Sequence, residues 1–288
     1  SPSSFKARIE GRPARVESVF WAGSDAEGPT PEEAERAGLP PTLPGRLVVL
    51  FVQRDAFESS RITGLMEART ALRDFLDSLG PDAFVAVALF EHHLSLPLDF
   101  TTDRRKLLAL VRDVPRLGAE APVKPAATPS LGAGLDPAAC RAAATPEEAL
   151  RLVGKSLQGL PGAKSLILLG WGLGEFLPGI GTRVAPGYPA ARAALTRARV
   201  SVFALDVTQA DQHSLEFGLE SVAHDTGGIY FKTFNNPELA FRQIAGALAG
   251  HYVLALEKPA FARGRHRMQV DLVGPAHGIV LAKPDYDE

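Results

Sequence analysis

Short apolar runs constrain the fold of this chain more than any other feature. Four of them lie within residues 47–52, 83–93, 164–170 and 200–207. Runs without polar alternation are typical of strands buried on both faces. Between them come segments such as 58–79, in which apolar residues recur at helical spacing. Strands that alternate with helices predict an α/β fold of three-layer, Rossmann-like type, in which helices cover both faces of a central, mainly parallel sheet.

At the two ends of the chain, strands no longer alternate with helices. Residues 1–21 contain short β-type stretches around a Gly-Arg-Pro turn, which predicts an N-terminal β-hairpin that ends a preceding module. Residues 22–46 are rich in Gly, Pro and acid and predict a linker. The α/β domain is expected at 47–249, and residues 250–288 predict a C-terminal antiparallel β extension. The abrupt start leads us to expect that the sequence was cut from a longer protein.

Composition excludes several classes of function. The chain has 288 residues, a net charge of −2 and a single cysteine, Cys140. One cysteine allows no intrachain disulfide. The small net charge gives no overall attraction to nucleic acid, and the basic cluster at 262–267 reads as a solvated turn. No apolar run is long enough to span a bilayer, so we predict neither nucleic-acid binding nor membrane insertion.

Several segments match, in order, the pattern of a known family. They are FKARIEGRPARVESV, LDFTTDRRKLLALV, VSVFALDV, LESVAHDTGGIYF, HYVLALEKP, RHRMQVDLV and the closing KPDY. Together they resemble a von Willebrand factor type A domain, and more closely the divergent, acidobacterial-type branch labelled VWFA-related. The resemblance implies a protein-binding or adhesion module of a larger exported bacterial protein, located outside the cell or in the periplasm.

The resemblance also implies a metal site at the carboxyl end of the sheet. Family members hold Mg²⁺ or Mn²⁺ with Asp-x-Ser-x-Ser on the first strand, a loop Thr and an Asp after the fourth strand, because Mg²⁺ prefers hard oxygen ligands. The first strand here offers Val52, Arg54 and Ala56 in one register, or Gln53, Asp55 and Phe57 in the other.

The fourth strand and the loop that supplies a Thr in the family offer no better set of metal ligands. Gly170 and Trp171 stand where the family has Thr and Asp, and only Thr128 matches a ligand position. We therefore predict a degenerate metal site with vestigial positions at Gln53, Asp55, Thr128 and Trp171. We expect no bound metal and no other cofactor.

The sequence gives little support for a catalytic function. The Gly-rich loop at 170–174 leads into a proline rather than a helix, as a phosphate cradle would require. His92 and His93 are adjacent on a strand and so point to opposite faces. The sequence has no Gly-x-Ser-x-Gly motif, and Cys140 lies in an alanine-rich helix typical of a packing role. We predict that the chain is not an enzyme.

The favoured function is metal-independent protein binding at the carboxyl-end rim of the sheet. The predicted partner-binding residues are Asp55, Phe57, Thr128, Trp171 and Phe176. For Trp171 and Phe176 a second reading stays open, in which both cover the gap left by the metal. Two alternative functions also remain. One is a structural subunit that self-associates through its C-terminal strands, and the other is a nucleotide-binding enzyme that uses the 170–174 loop.

Overall fold

A computed structural model describes the chain over residues 1–23, 46–54, 59–113, 129–162, 164–177, 179, 181–209, 213–233, 236–257, 264–274 and 280–287. The strands are β1 Phe5–Ile9, β2 Arg12–Ala14, β3 Val16–Gly23, β4 Leu47–Gln53, β5 Phe84–Phe90, β6 Leu94–Thr101, β7 Lys164–Gly170, β8 Glu175–Leu177, β9 Gly181–Arg183, β10 Val200–Asp206, β11 Tyr230–Lys232, β12 Gly250–Leu256, β13 Arg265–Leu272 and β14 Asp285–Asp287. The helices are α1 Ser59–Ser78, α2 Arg104–Asp113, α3 Pro137–Ala142, α4 Pro146–Gln158, α5 Tyr188–Arg197, α6 Glu216–Asp225 and α7 Pro237–Ala249.

A six-stranded sheet forms the centre of the fold, in the order β11-β10-β7-β4-β5-β6. Neighbouring strands are parallel except at one edge, where β6 runs antiparallel to β5. Every residue of β4 and β7 is buried. The predicted α/β class with a mainly parallel sheet is confirmed.

Each face of the sheet carries its own hydrophobic core. Val48, Leu50 and Val52 face one core, which α1, α2 and α7 cover. Leu47 and Phe51 face the other core, which α4, α5 and α6 cover. Alternate residues of one strand point to opposite faces, and both faces are apolar, so the β4 sequence shows no polar alternation. This burial produces the three layers predicted from the sequence.

Local signals in the sequence place several helix starts. The Thr145 hydroxyl accepts the backbone N–H of Glu148 at 3.2 Å, and the Glu148 carboxylate accepts the N–H of Ala144 at 2.8 Å. These two hydrogen bonds, with Pro146 in the first turn, define the start of α4. Asp103 accepts the N–H groups of Arg105 and Lys106 and so begins α2.

The Thr-Gly-Gly motif of the resemblance has a structural role. The Thr226 hydroxyl is fully buried, accepts the N–H of Val202 at 3.0 Å and donates to the Val222 carbonyl at 2.7 Å. Gly227 has a φ of +72°, which favours glycine. A Cβ at Gly228 would lie 1.9 Å from the Val202 carbonyl oxygen. The motif thus joins α6 to the amino end of β10.

The N-terminal and C-terminal segments pair with each other as well as within themselves. β1 and β2 form the predicted hairpin, and β1 also pairs antiparallel with β13, in a sheet of order β14-β13-β1-β2. β3 pairs with β12 in a separate two-stranded ribbon. The C-terminal extension therefore completes sheets that the N-terminal residues begin. Within the described residues, no helix is both long and apolar enough to cross a membrane.

Candidate functional site

The carboxyl ends of β4 and β7 meet where the resemblance implies a metal, and a glutamine amide lies between them. Gln53 is fully buried. Its Oε1 accepts the N–H groups of Trp171 at 3.1 Å and Gly172 at 3.3 Å, and its Nε2 donates to the Gly172 carbonyl at 2.9 Å. A Cβ at Gly170 would lie 2.6 Å from Gln53 Oε1, so a larger residue there would have to displace this amide. Gln53 therefore holds the loop after β7 against β4.

The described residues at this point do not suit a divalent cation. The one oxygen that Gln53 offers already accepts two backbone N–H groups. The next residue, Arg54, brings a positive charge, which pairs with Glu91 at 2.5 Å. Mg²⁺ needs several hard oxygens, of which carboxylates are the strongest. The predicted site residues Asp55, Phe57 and Thr128 lie outside the described residues, so their part in the prediction stays a prediction.

The loop that follows Thr128 is nevertheless well fixed from residue 130 onward. The Asp99 carboxylate accepts the N–H of Leu131 at 2.7 Å and the hydroxyl of Ser130 at 2.5 Å. Asp99 is itself buried at the end of β6. It belongs to the LDF segment of the resemblance, and its role is to position this loop.

Trp171 is half-buried and lies against Arg61. The Arg61 guanidinium carbon lies 3.7 Å from the centroid of the Trp171 ring, which is cation–π geometry. The indole Nε1 is shielded from solvent and has no hydrogen-bond partner within the described part of the chain. Of the two readings left open, this arrangement favours Trp171 as a cover over the strand ends.

Of the two predicted rim residues that the structure describes, Phe176 is the more exposed. It lies in β8, which forms a hairpin with β9, and the residue is 59% exposed. Phe217, in the first turn of α6, is 56% exposed. The loop before β8 packs on the start of α6, because Leu173 donates its N–H to the Leu215 carbonyl at 3.3 Å. Phe176 and Phe217 therefore project from two segments that are in contact.

Sequence reasoning missed Phe217, although a signal for it exists. The buried apolar residues of α6 are Leu219, Val222 and Ala223, which share one helical face. Phe217 lies off that face, and an aromatic residue outside the apolar stripe of a short helix is a candidate contact residue.

A polar cluster surrounds Asp206 at the carboxyl end of β10. Asp206 is buried, and its Oδ2 lies 2.7 Å from His213 Nε2 and accepts the Tyr230 hydroxyl at 3.0 Å. Its Oδ1 accepts the N–H of Thr208 at 2.9 Å. Burial, followed by the Asp206 charge, raises the pKa of Tyr230 and keeps its hydroxyl protonated as a donor.

The same cluster has the ligand types of a metal site, but its groups are engaged. Potential ligand atoms of Asp206, His213 and Glu216 lie within 4.8 Å of one another. Glu216 is 2.7 Å from the Lys232 ammonium group, and Asp206 has the donors named above. A cation would have to displace Lys232 and break the Asp206–His213 contact. The geometry is that of a hydrogen-bonded network that fixes the loop after β10.

Groups with catalytic potential are likewise used for structure. The Gly174 N–H donates to the buried Glu147 carboxylate at 2.6 Å, and the Gly-rich loop continues into β8 rather than into a helix. Burial raises the pKa of Glu147. Burial also raises the pKa of the half-buried Cys140 thiol, which is the opposite of nucleophile activation.

Comparison with known proteins finds similarity in structure but none in sequence families. No family model and no curated protein matches the sequence. A solved von Willebrand factor type A protein from Catenulispora acidiphila is similar, with 16% identity, a TM-score of 0.46 and coverage of 84% of this chain and 49% of that one. An aerotolerance-related membrane protein from Bacteroides fragilis has 13% identity, a TM-score of 0.46 and coverage of 71% of this chain and 98% of that one.

The PilB minor pilin from Streptococcus sanguinis is also similar, with 13% identity, a TM-score of 0.45 and coverage of 73% of this chain and 62% of that one. The chain thus spans less than two thirds of the pilin and about half of the Catenulispora protein. These similar structures include a von Willebrand factor type A protein, the family whose domain the sequence resembles.

Proposed function

We propose that this chain is a non-catalytic protein-interaction module that binds its partner at the carboxyl-end rim of the central sheet. The observation that carries the proposal is the pair Phe176 and Phe217, both more than half exposed and borne by segments in mutual contact. Open α/β folds commonly bind ligands at this end of the sheet. Exposed aromatic residues are frequent anchors of protein interfaces, because each buries a large apolar area with few rotatable bonds.

Binding at this rim is proposed to be independent of a metal. Gln53 supplies one oxygen at the strand ends, and both backbone N–H groups of the adjoining loop already use it. The loop is therefore held by an uncharged amide. We further propose, from the resemblance of the sequence, that the module belongs to a larger exported bacterial protein and works outside the cell or in the periplasm.

The rim proposal can be tested by capture of partners on the immobilised chain. Phe176→Ala and Phe217→Ala should each reduce the amount of a specifically retained protein about tenfold, since a buried aromatic anchor contributes 1–3 kcal/mol or more to binding. Tyr252→Ala is the matched control, because Tyr252 is 55% exposed but lies on the β3–β12 ribbon. Capture that is unchanged by both Phe variants would rule out the rim.

The metal arm of the test uses the same assay. Neither EDTA nor an excess of Mg²⁺ or Mn²⁺ should change the capture or the melting temperature. A cation that binds only the folded state would raise the melting temperature, and we expect no such binding. A reproducible increase of the melting temperature by several degrees with Mg²⁺ would contradict this expectation. It would show that oxygen donors outside the described residues complete a metal site.

Self-association through the C-terminal strands remains a second proposal. In the fold, β13 lies between β1 and β14, and β12 pairs with β3, so these strands already have partners. The edge strand β14 is only three residues long, and short acidic edges discourage strand addition. Sedimentation at rising concentration tests the idea: a constant monomer mass would exclude a building block, and a concentration-dependent mass would favour it over the rim.

A further inference from the structure

Three cations meet at the amino end of the central sheet, which is the end opposite the rim. Lys164 is the first residue of β7 and pairs with Val200, the first residue of β10. Arg199 directly precedes Val200 in the chain. Lys283 comes from the C-terminal segment that leads into β14, and it reaches this end of the sheet through a contact with α5. Three distant parts of the chain therefore contribute one cation each.

Both lysines direct their ammonium groups to the carbonyl end of α5. Lys283 Nζ donates to the Thr196 carbonyl at 3.2 Å. Lys164 Nζ donates to the carbonyls of Ala198 at 3.1 Å and Gly162 at 3.2 Å. An ammonium group has three N–H donors, so each lysine keeps at least one donor beyond these contacts. Because Thr196 and Ala198 are only two residues apart, the two ammonium groups lie near each other with hydrogen-bonding capacity to spare.

The acids of the described residues do not neutralise this cluster. None of the three cations forms an ion pair there. The carboxylate that acts on Lys283 is Asp285, which already pairs with Arg192 and, at 2.5 Å, with Arg265. The carbonyl end of α5 adds only about half a negative charge. The cluster is therefore left with a large positive excess.

The lysines bear the cost of this excess. Burial, followed by the charges of Arg199 and Lys164, lowers the pKa of Lys283 to about 8. Burial, followed by the charge of Arg199, also lowers the pKa of Lys164. A negative charge placed among these groups would favour their protonated forms.

Two local features are unexplained by folding alone. Arg199 follows the end of α5 with a φ of +58° and donates its N–H to the Thr196 carbonyl at 3.0 Å, a position at which glycine is usual. Its left-handed backbone carries strain that a glycine would avoid. The Thr196 hydroxyl is shielded from solvent and has no hydrogen-bond partner among the residues described. A ligand held at this point would give a use to both the arginine and the hydroxyl.

We propose that Arg199 and Lys283, with the more deeply buried Lys164 adding charge, bind a free inorganic oxyanion of the phosphate type. A phosphate group carries close to two negative charges near neutral pH and has at least three strong acceptor oxygens, whereas a carboxylate has one charge and two oxygens. Lys164 is 6% exposed and Lys283 is half-buried, so the site suits a small ion rather than a phosphate on a long chain. This site does not rest on the function proposed for the rim.

The melting temperature of the full chain tests the proposal, with inorganic phosphate as the probe. At pH 7 and constant ionic strength, about 20 mM phosphate should raise the melting temperature by roughly 2–5 °C, because a ligand that binds only the folded state stabilises it. Sodium acetate at the same ionic strength should leave the melting temperature unchanged. The dependence of the shift on phosphate concentration gives the affinity.

Variants of the cluster locate the binding. Arg199→Gly and Lys283→Met should each weaken phosphate binding about tenfold, the loss expected for one charge-assisted hydrogen bond. Arg199→Gly removes the cation at a backbone position that suits glycine, so this variant is expected to fold. Arg197→Gln is the matched control, because Arg197 is exposed and lies two residues from Arg199. Its phosphate affinity should not change.

The pH dependence of binding separates a phosphate site from a merely structural cluster. Phosphate affinity should fall as the pH rises above about 8, since Lys283 then loses its proton in the free protein, and this decrease should be much smaller in Lys283→Met. An equal response to acetate, an equal loss in Arg197→Gln, or an affinity unchanged by both cluster variants would overturn the site. Tighter binding of a phosphoserine peptide than of inorganic phosphate would overturn the assignment to a free ion.

Discussion

Gln53 and Trp171 show how single residues reorganise the end of this sheet. The sequence reveals that Trp171 replaces an acid expected from the resemblance, and it offers Gln53 in one of two registers. It does not reveal that the Gln53 side chain joins the two strand ends, because that contact links residues 118 and 119 positions apart. Local patterns predict which residues are missing from a site, whereas the hydrogen bonds that replace them depend on the three-dimensional arrangement of the strands.

Replacing Gln53 with Leu should cost roughly 2–4 kcal/mol of unfolding free energy. The change would leave the buried N–H groups of Trp171 and Gly172 without an acceptor, and each such loss costs about 1–3 kcal/mol. Gln158→Leu is the control, since this exposed glutamine makes one long hydrogen bond of 3.4 Å and should change stability by less than about 0.5 kcal/mol. Urea denaturation measures both, and similar losses in the two variants would contradict the role given to Gln53.

Lys283 gives the protein a predictable pH dependence. Burial, together with the nearby charges of Arg199 and Lys164, lowers the pKa of Lys283 to about 8. An unfolded lysine titrates near 10.4, so between about pH 8 and 10.4 unfolding takes up a proton and this lysine's contribution to stability rises with pH. Below pH 8 the protein bears the full cost of burying the charge.

Lys283→Met should therefore be more stable than the parent chain at pH 7, by an amount on the order of 1–2 kcal/mol after the loss of the hydrogen bond to the Thr196 carbonyl. The difference should shrink by pH 10, where the parent lysine is largely neutral in the folded state. Urea unfolding at both pH values measures it, and a difference that is the same at pH 7 and pH 10 would exclude the linkage.

At the scale of elements, two helical glycines should respond in opposite ways to the same substitution. Gly64 lies where α1 crosses the end of β10, and a Cβ there would be 1.7 Å from the Val207 carbonyl oxygen. Gly64→Ala must push α1 away from the sheet and should cost about 3 kcal/mol. Gly246 in α7 has open space around a Cβ, so Gly246→Ala should add about 0.5–1 kcal/mol. Thermal melts distinguish them, and a change of the same sign in both variants would contradict the packing described.

The elements themselves were predictable to different degrees. The four apolar runs all became central strands, because burial on both faces leaves a local pattern in the sequence. The β8–β9 hairpin left no such pattern, since each strand has three residues and neither is buried. The pairing of β1 with β13 joins residues more than 250 positions apart, and no local periodicity encodes a partner at that distance.

At the scale of the whole molecule, Arg192 links the β14-β13-β1-β2 sheet, called the outer sheet below, to the α/β domain. It extends from α5 to Asp225 at the end of α6 and to Asp285 of β14. Arg192→Met would take this cation from two poorly exposed carboxylates, of which Asp285 keeps Arg265 and Asp225 keeps the Tyr188 hydroxyl, so the expected cost is about 1.5–3 kcal/mol. The loss should fall on the docking of the outer sheet, since Asp285 belongs to β14 and Asp225 ends α6, and neither lies in a strand of the central sheet.

Hydrogen exchange resolves where that loss occurs. In Arg192→Met, amides of β1, β13 and β14 should exchange faster, while those of β4 and β7 keep their protection, because local opening of the outer sheet leaves the central sheet intact. Arg197→Met, on an exposed position of the same helix, should leave both regions unchanged. Equal acceleration in β4 and β13 would mean that the two sheets unfold as one unit, and the outer sheet would then be an integral part of the domain rather than a layer docked by charge.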